Sequence, residues 1–200
     1  MAPSKKLAAI SQKKQEKKLL VLDMDNTLMY SSQVSFGEGE DDLVFTLVEG
    51  GSNYYVKLRP GVRFFLEKVA EMFDVMIFTA ADKDYADKII DFLDPENTLI
   101  SRRAYYDDFV EHGCVKDMSK LERDLAKVAI IDDIPQNYQL QKDNGIPIKN
   151  WSNEPDDEEL LTLLPFLEGL VDVEDVRPVI AERYDCYNKG GFGKKKTNWR

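Results

Sequence analysis

The sequence predicts an α/β fold in which a central parallel sheet lies between layers of helices. Three short runs, Leu19–Leu22, Val75–Thr79 and Val128–Asp133, are apolar without alternation and lead into polar residues at their carboxyl ends. Continuous apolar runs of this length are typical of strands that are buried on both faces of a parallel sheet. Helical stretches lie between these runs at the spacing of βαβ crossovers, so the strands are expected to be parallel.

The first strand begins abruptly after a basic lead-in. Residues 1–18 are rich in Lys and Gln and predict a basic N-terminal tail or a frayed helix. At Leu19 the pattern changes to four apolar residues followed by Asp23-Met24-Asp25-Asn26-Thr27. Open α/β sheets place their ligands at the carboxyl ends of the strands, so this acidic segment is expected at a functional edge.

An insertion follows the first strand. The segments Val44–Val48 and Tyr54–Val56 flank the turn sequence Gly50-Gly51-Ser52-Asn53. This pattern predicts a small β-hairpin at about residues 33–57. Such a hairpin is expected to stand over the functional edge as a cap or flap.

The remaining elements complete one domain, predicted over residues 19–185. Residues 186–200, rich in Gly and Lys, are expected to form a flexible C-terminal tail. Periodicity and capping signals predict four helices and a last short strand. These are helices Val62–Phe73 behind Pro60-Gly61, Tyr85–Leu93 with Asp82 or Asp84 as N-cap, Asp156–Leu170 and Val173–Tyr184, and strand Ile146–Ile148.

Composition excludes several classes of function. The formal net charge of −10 argues against broad binding to nucleic acid or to anionic membranes. Two cysteines without a CxxC motif and one histidine suggest neither disulfides nor a zinc site. No apolar run approaches the roughly 20 residues that cross a bilayer. We therefore expect an intracellular protein, nuclear or cytoplasmic, that is monomeric and binds neither nucleic acid nor membrane.

Two carboxylates are expected to share one pocket after the first strand. Asp23 and Asp25 are two residues apart, so they emerge on the same side of an extended chain. Like charges this close need a cation or a retained proton. Both conditions suit phosphoryl transfer, in which one carboxylate attacks phosphorus and the other donates and removes a proton.

Further polar residues follow the later strands. Asp132 and Asp133 add oxygen ligands of the kind that Mg²⁺ favours. Thr79 offers a hydroxyl and a backbone N–H to a phosphate oxygen, and Lys116 offers a positive charge. The transferring phosphoryl group needs such a positive environment.

These motifs resemble a known family. In this order they are similar to the FCP/SCP (NIF-like) phosphatase domain of the haloacid dehalogenase (HAD) superfamily, the type that acts on the RNA polymerase II C-terminal domain. The resemblance implies a HAD-like Rossmannoid three-layer sandwich and covers nearly all of residues 19–180. The matching segments are Leu22–Leu28, Lys57–Gly61, Phe78–Ala80, Tyr85–Asp87, Val115–Ser119, Ile131–Asp133 and Asn150–Trp151.

The resemblance also implies residue roles. Asp23 forms an aspartyl-phosphate, and Asp25 protonates the leaving seryl or threonyl oxygen before it activates water. Thr27 supports this segment. The implied phosphate-binding residues are Thr79, Ala80, Lys116 and Met24. The implied ligands of a Mg²⁺ cofactor are Asp23, the backbone carbonyl of Asp25, and Asp133 with Asp132 in support, and the implied substrate is a phosphoprotein or phosphopeptide.

The departures from the family concern the substrate. Small polymerase-directed members carry apolar or aromatic residues where this chain has Gln33 and Asp82, and an acid beside the phosphate site repels acidic peptides. Two alternatives therefore stay open, a small-metabolite HAD phosphatase and a non-catalytic peptide-binding module of the mitochondrial import receptor type. A set of aromatic residues could rebuild a substrate wall, namely Phe36, Tyr54, Tyr55, Tyr105 and Tyr106.

Other conspicuous residues are expected to have structural roles. Arg59 is expected to pair with an acid at the base of the hairpin, and Trp151 to pack the last strand against the floor of the site. Arg102 and Arg103 are expected to be a solvated pair. His112 is expected in an exposed loop and Cys114 in a buried position.

Overall fold

The structure, a computed structural model, describes residues 16–36, 44–49, 51–105 and 115–189. The predictions for residues 1–15, Tyr106, His112, Cys114 and residues 190–200 lie outside the described residues. The strands are β1 (Leu19–Leu22), β2 (Met29–Ser32), β3 (Val44–Glu49), β4 (Ser52–Leu58), β5 (Asp74–Phe78), β6 (Arg102–Ala104), β7 (Val128–Asp132) and β8 (Gly145–Pro147). The helices are α1 (Val62–Met72), α2 (Lys83–Leu93), α3 (Glu159–Leu170) and α4 (Val176–Lys189).

Five strands form the predicted parallel sheet, in the order β6-β5-β1-β7-β8. The register aligns the central strands at their carboxyl ends, because Leu22 of β1 lies opposite Ile77 of β5 and Ile131 of β7. The residues that follow these three strands therefore meet at one edge of the sheet. This alignment brings together segments that are about 50 residues apart in sequence.

The sheet separates two apolar layers. Alternate residues of β1 face opposite sides: Leu20 and Leu22 pack into a large cluster with all four α-helices, whereas Leu19 and Val21 pack into a smaller one. The smaller cluster includes Met118 from one 3-10 helix and Tyr138 from another. The α/β fold with a central parallel sheet is confirmed, with one covering layer built of 3-10 rather than α-helices.

The predicted hairpin is part of a three-stranded antiparallel sheet, β2-β4-β3. β3 and β4 pair with Glu49 opposite Ser52, and Gly51 has φ +79°, a conformation that glycine adopts without strain. Strand β2 was not predicted, because its four residues contain too few apolar positions to show a pattern. The small sheet lies against α2, where the Lys88 ammonium donates to the Val48 carbonyl at 3.0 Å.

Helix ends differ from the predictions where tertiary contacts intervene. α1 begins after Gly61, where glycine is favoured because φ is +74° and because a Cβ at this position would lie only 2.9 Å from a methyl carbon of Leu161. α3 begins at Glu159 rather than Asp156, and α4 continues past the predicted end at Tyr184, where the helix is kinked. No helix within the described ranges is long and apolar enough to cross a membrane.

Two predictions about arginines were wrong. Arg103 is not part of a solvated pair, because its guanidinium contacts Asp87 at 2.7 Å and Asp91 at 2.8 Å while its backbone belongs to β6. Arg59, directly after β4, does pair with an acid as predicted, but the predicted place of that acid was wrong, because the acid does not belong to the hairpin. It is fully buried and contacts Asp157, just before α3, with its Nε 2.6 Å from Oδ1 and its second terminal nitrogen 2.8 Å from Oδ2.

Candidate active site at the carboxyl edge of the parallel sheet

An open cavity of about 560 Å³ lies at the carboxyl edge of the parallel sheet. Its floor is formed by residues that follow β1, β5 and β7, and its wall by residues of β4 and the start of α2. The lining residues are Asp23, Asp25, Asn26, Tyr54, Thr79, Ala80, Ala81, Asp82, Tyr85, Asp133, Ile134, Asn137 and Asn150. The acids predicted from β1 and β7 therefore do meet at one place.

Asp23 directly follows β1 and is almost fully buried. Its N–H continues the sheet by donating to the Ile131 carbonyl at 2.9 Å, which fixes the backbone of the residue. Its carboxylate accepts hydrogen bonds on both oxygens, from the Thr27 hydroxyl at 2.8 Å and from the Lys116 ammonium at 2.5 Å. The supporting position predicted for Thr27 thus corresponds to direct contact with Asp23.

A tight turn after Asp23 orients the next residues. The Met24 carbonyl accepts the Leu28 N–H at 2.9 Å, and Asn26 adopts φ +60°, a left-handed conformation that Asn tolerates. Asn26 and Trp151 exchange hydrogen bonds through the Asn26 carbonyl and amide, each at 2.9 Å, so the buried Trp151 supports the floor. The Met24 side chain is fully buried, so its predicted phosphate contact could come only from its N–H.

Asp25 lies in the cavity beside the hydroxyl groups of Thr79 and Tyr85. Its Oδ2 lies 3.4 Å from the Thr79 hydroxyl and its Oδ1 lies 3.3 Å from the Tyr85 hydroxyl, which also lies 2.7 Å from the Ser31 hydroxyl. Burial, together with the charge of Asp23, raises the pKa of Asp25 to about 6. A carboxyl with this pKa can give and take a proton near neutral pH.

Lys116 is completely buried between two acids. Its ammonium donates to Asp23 at 2.5 Å and to Asp132 at 2.7 Å. Burial alone would lower the pKa of Lys116, but the charges of Asp23 and Asp132 outweigh it and raise the pKa, so the side chain stays cationic. Asp132 is held in turn by the Ile134 N–H at 2.8 Å and by the Asn137 amide at 3.0 Å.

Three carboxylates of the site are close enough together to bind one metal ion. Carboxylate oxygens of Asp23, Asp132 and Asp133 lie within 4.8 Å of one another. Burial raises the pKa of Asp133. The Asn150 amide donates to this carboxylate at 2.7 Å, which by itself would lower the pKa. An all-oxygen anionic set fits a hard divalent cation such as Mg²⁺. The Asp25 side chain is not part of this set, so its predicted contribution could come only from the backbone carbonyl.

One detail predicted for Thr79 was wrong. Its backbone N–H donates to the Ala104 carbonyl at 3.1 Å as β5 continues beside β6, so this N–H does not face a phosphate. Its hydroxyl lies in the cavity, where it accepts the Ala81 N–H at 3.0 Å and contacts Asp25. The exposed Ala80 also lines the cavity, and the phosphate-binding roles of both residues stay predictions.

Sequence reasoning missed the residues that orient the acids. Tyr85 belongs to one of the segments that resemble the family, but no role was predicted for it. Its hydroxyl contacts Asp25, and its ring packs edge-on against Tyr54 at 5.6 Å. Asn137, which donates to Asp132, lies in a polar segment without a distinctive motif, whereas Asn150, which donates to Asp133, lies in a family-like segment but was given no role. Of the members of the proposed aromatic wall that the structure describes, Phe36, Tyr54, Tyr55 and Tyr105, only Tyr54 lines the cavity.

The two departures from the family have different positions. Gln33 is exposed, donates to the Tyr54 hydroxyl at 3.4 Å and does not line the cavity. Asp82 does line the cavity. Only Asp82 therefore changes the chemistry of the cavity wall directly.

Comparison with known proteins identifies a matching family. Residues 18–177 match the family described as NLI interacting factor-like phosphatase. A Dictyostelium discoideum protein named CTD small phosphatase-like protein 2 is 44% identical over 172 residues, which cover 84% of this chain and 30% of that protein. The zebrafish (Danio rerio) CTD nuclear envelope phosphatase 1B is 35% identical over 176 residues, covering 83% of this chain and 72% of that protein.

Solved structures support the fold. The RNA polymerase II CTD phosphatase Fcp1 of fission yeast, bound to beryllium fluoride, superposes with a TM-score of 0.57 at 21% identity, covering 85% of this chain and 55% of that chain. A second Fcp1 structure gives a TM-score of 0.59 at 22% identity, and the match covers 89% of this chain and 55% of that chain. The chain spans only 30%, 54% and 58% of the first three curated relatives it matches.

Proposed function

The chain belongs to the NLI interacting factor-like phosphatase family, and on that premise we propose that it is a Mg²⁺-dependent phosphatase that hydrolyses phosphoserine and phosphothreonine in proteins. The observation that carries the proposal is the pairing of two unlike carboxylates in one cavity. The Asp23 carboxylate accepts hydrogen bonds from the Thr27 hydroxyl and the Lys116 ammonium. Asp25, two residues later, has a pKa raised to about 6. These environments suit a nucleophile and a proton donor, respectively.

In the first step a carboxylate oxygen of Asp23 attacks the phosphorus atom. The new bond joins this oxygen to phosphorus, and the bond between phosphorus and the seryl or threonyl oxygen breaks. The leaving oxygen takes a proton from the carboxyl group of Asp25. The products of this step are the free hydroxyl of the substrate, an aspartyl-phosphate at Asp23 and an ionised Asp25.

In the second step Asp25 acts in the reverse direction. Its carboxylate removes a proton from a water molecule, which attacks phosphorus and breaks the bond to Asp23. Inorganic phosphate leaves, and both acids return to their starting states. The proximity of Thr79 and Tyr85 to Asp25, at 3.4 and 3.3 Å, supports a fixed position for this proton-transferring group.

The phosphoryl oxygens need positive charge and hydrogen-bond donors. We assign these tasks to the Lys116 ammonium and the Thr79 hydroxyl, with the exposed backbone around Ala80. Asp23, Asp132 and Asp133 would hold Mg²⁺, which supplies electrostatic stabilisation of the charge that spreads over the transferring group. Asn150 and Asn137 keep two of these carboxylates in position.

The shape of the cavity favours a macromolecular substrate. The cavity is open, and the described part of the insertion is a small sheet beside it. Relatives named CTD phosphatases and nuclear envelope phosphatases support a phosphoprotein substrate and a nuclear or cytoplasmic location for this chain as well. The RNA polymerase II C-terminal domain itself is one candidate among phosphoproteins.

The first test measures hydrolysis of p-nitrophenyl phosphate and of a phosphoserine peptide panel in Mg²⁺ and in EDTA. We expect turnover only with Mg²⁺, loss of more than about 1,000-fold in kcat for Asp23→Asn, and trapping of beryllium fluoride by the wild type. Asp84→Asn is a matched control, because Asp84 is exposed near the same cavity but does not line it.

Three results would contradict the proposal. Activity that survives Asp23→Asn would exclude the aspartyl-phosphate. Rapid turnover of phosphorylated metabolites with none of peptides would favour the small-metabolite alternative. A folded protein that binds peptides but neither hydrolyses p-nitrophenyl phosphate nor traps beryllium fluoride would favour the peptide-binding module.

A further inference from the structure

We propose that the mouth of the cavity selects phosphopeptides with Lys or Arg close to the phosphorylated residue, and that Asp82 is the residue that sets this preference. This inference rests on the proposed function and specifies its substrate class. It is carried by the free carboxylate of Asp82 in the cavity wall and by the distribution of charge around it.

Asp82 stands at the N-cap position of α2 but does not cap the helix. Its backbone carbonyl accepts the Ala86 N–H at 2.9 Å, whereas its side chain makes no capping hydrogen bond. Aspartate at this position ordinarily uses its carboxylate to bind the first N–H groups of the helix. Among the described residues the Asp82 carboxylate has neither a hydrogen bond nor an ion pair, and the residue is exposed in the cavity wall. The carboxylate is therefore available to a ligand.

Within the described part of the chain, the basic residues Lys83 and Arg103 near the start of α2 are bound to acids other than Asp82. Lys83 is the next residue, but its ammonium is bound to Asp87 and lies 4.7 Å from the centre of the Tyr105 ring. Arg103 is likewise bound to Asp87, and also to Asp91. Both basic groups near the start of α2 are thus already paired with acids of that helix.

The cavity lining carries acids but no Lys or Arg among the described residues. The acids are Asp23, Asp25, Asp82 and Asp133. Lys116 does not line the cavity; it is completely buried behind Asp23, and its ammonium is shared between Asp23 and Asp132. A phosphate group thus has favourable partners only at the floor, and the chain as a whole has a net charge of −10. Positive side chains on the substrate, beside the phosphate, would reduce this repulsion and pair with Asp82.

The size of the cavity limits the peptide positions at which a basic residue can contact Asp82. A volume of about 560 Å³ corresponds to a width of about 10 Å, which an extended peptide spans in about three residues. A basic residue within about three positions of the phosphoserine can therefore reach Asp82 while the phosphate lies at the floor. More distant charges are screened over about 8–10 Å at physiological salt.

The test compares three phosphoserine peptides that differ only in their flanks, with Lys, Ala or Glu within three positions of the phosphoserine. For the wild type we expect kcat/KM to be about two- to five-fold higher for the Lys peptide than for the Ala peptide, with the Glu peptide slowest. For Asp82→Asn the kcat/KM values of the Lys and Ala peptides should become equal. For Asp82→Lys the kcat/KM of the Glu peptide should exceed that of the Lys peptide. In about 0.5 M NaCl the preference of the wild type should shrink.

Asp84→Lys is the matched control, because it makes the same change of charge two residues away, outside the cavity lining. It should leave the wild-type preference in place. Equal turnover of the three peptides by the wild type, or an Asp84→Lys effect as large as that of Asp82→Lys, would overturn this inference while the phosphatase proposal stands. Absence of turnover for p-nitrophenyl phosphate and for every peptide would instead overturn the proposed function, and this inference with it.

Discussion

Replacing Asp157 with Asn should lower the free energy of unfolding by about 3–5 kcal/mol, because it leaves the buried guanidinium of Arg59 without its counter-charge. The Arg59 side chain is 0% exposed and that of Asp157 is 3% exposed. Arg59 also donates to the Thr27 carbonyl and to the Lys149 carbonyl, each at 3.0 Å. It thus joins the turn after β1, the segment after β8 and the start of α3. In a domain of this size the expected loss corresponds to about 6–20 °C in Tm.

An exposed pair in the same chain provides the control. Arg177 and Asp175 also form a two-pronged contact, with the shortest distance at 2.6 Å, but their side chains are 41% and 32% exposed. Asp175→Asn should therefore cost less than about 1 kcal/mol. Asparagine at 157 still offers an acceptor to the Glu159 N–H, so the start of α3 is preserved.

Urea unfolding at pH 7 in EDTA measures both variants. If Asp157→Asn costs no more than Asp175→Asn, the guanidinium has found water or another partner, and the reasoning from burial is refuted. A double variant, Arg59→Met with Asp157→Leu, tests the same point from the other side. It should recover part of the loss of Asp157→Asn, because it removes the unpaired buried charge.

Three further predictions concern single residues. Tyr85→Phe should lower kcat about tenfold for a phosphoserine peptide but less than twofold for p-nitrophenyl phosphate, whose leaving group needs no proton; equal losses would exclude a role through Asp25. The pKa of Asp25 is raised to about 6 in the folded protein, so above that pH its ionised carboxylate lowers the free energy of unfolding. Below about pH 4 the carboxyl is protonated in both the folded and the unfolded state, and this loss of stability disappears. In EDTA, Asp25→Asn should therefore stabilise the domain by about 1–3 kcal/mol at pH 7.5 and not near pH 4, and urea titrations with equal shifts at both pH values would contradict this. Gly145→Ala should cost about 1–3 kcal/mol, since a Cβ there would lie 2.0 Å from the Tyr138 ring, whereas Gly169→Ala, with open space, should cost nothing in thermal unfolding.

The composition of the strands made the centre of the fold predictable. β1, β5 and β7 are continuous apolar runs, and such runs are stable only when both faces are covered. Helix α1 was predicted to within one residue of its end, because its apolar positions recur with helical spacing. By contrast, β2 and β6 have four and three residues, too few for any period to show.

The candidate site was predicted in part for the same reason. Acids at the ends of parallel strands must share one edge of the sheet, so the meeting of Asp23 with Asp132 and Asp133 follows from local patterns alone. The hydrogen-bond partners of these acids cannot be predicted from local patterns. The contact of Tyr85 with Asp25 depends on how α2 packs against the small sheet, and a helical pattern in the sequence contains no information on that packing.

The sequence by itself determined the α/β class, the positions of the core strands along the chain and the edge of the sheet at which the acids gather. It did so because burial selects residue types along short stretches of chain. Only the tertiary structure decided which groups those acids contact, that Arg59 pairs with a carboxylate 98 residues away, and that the N–H of Thr79 is already bound to β6. These contacts depend on distances between elements that are far apart in sequence, and such distances are fixed by packing rather than by any local pattern.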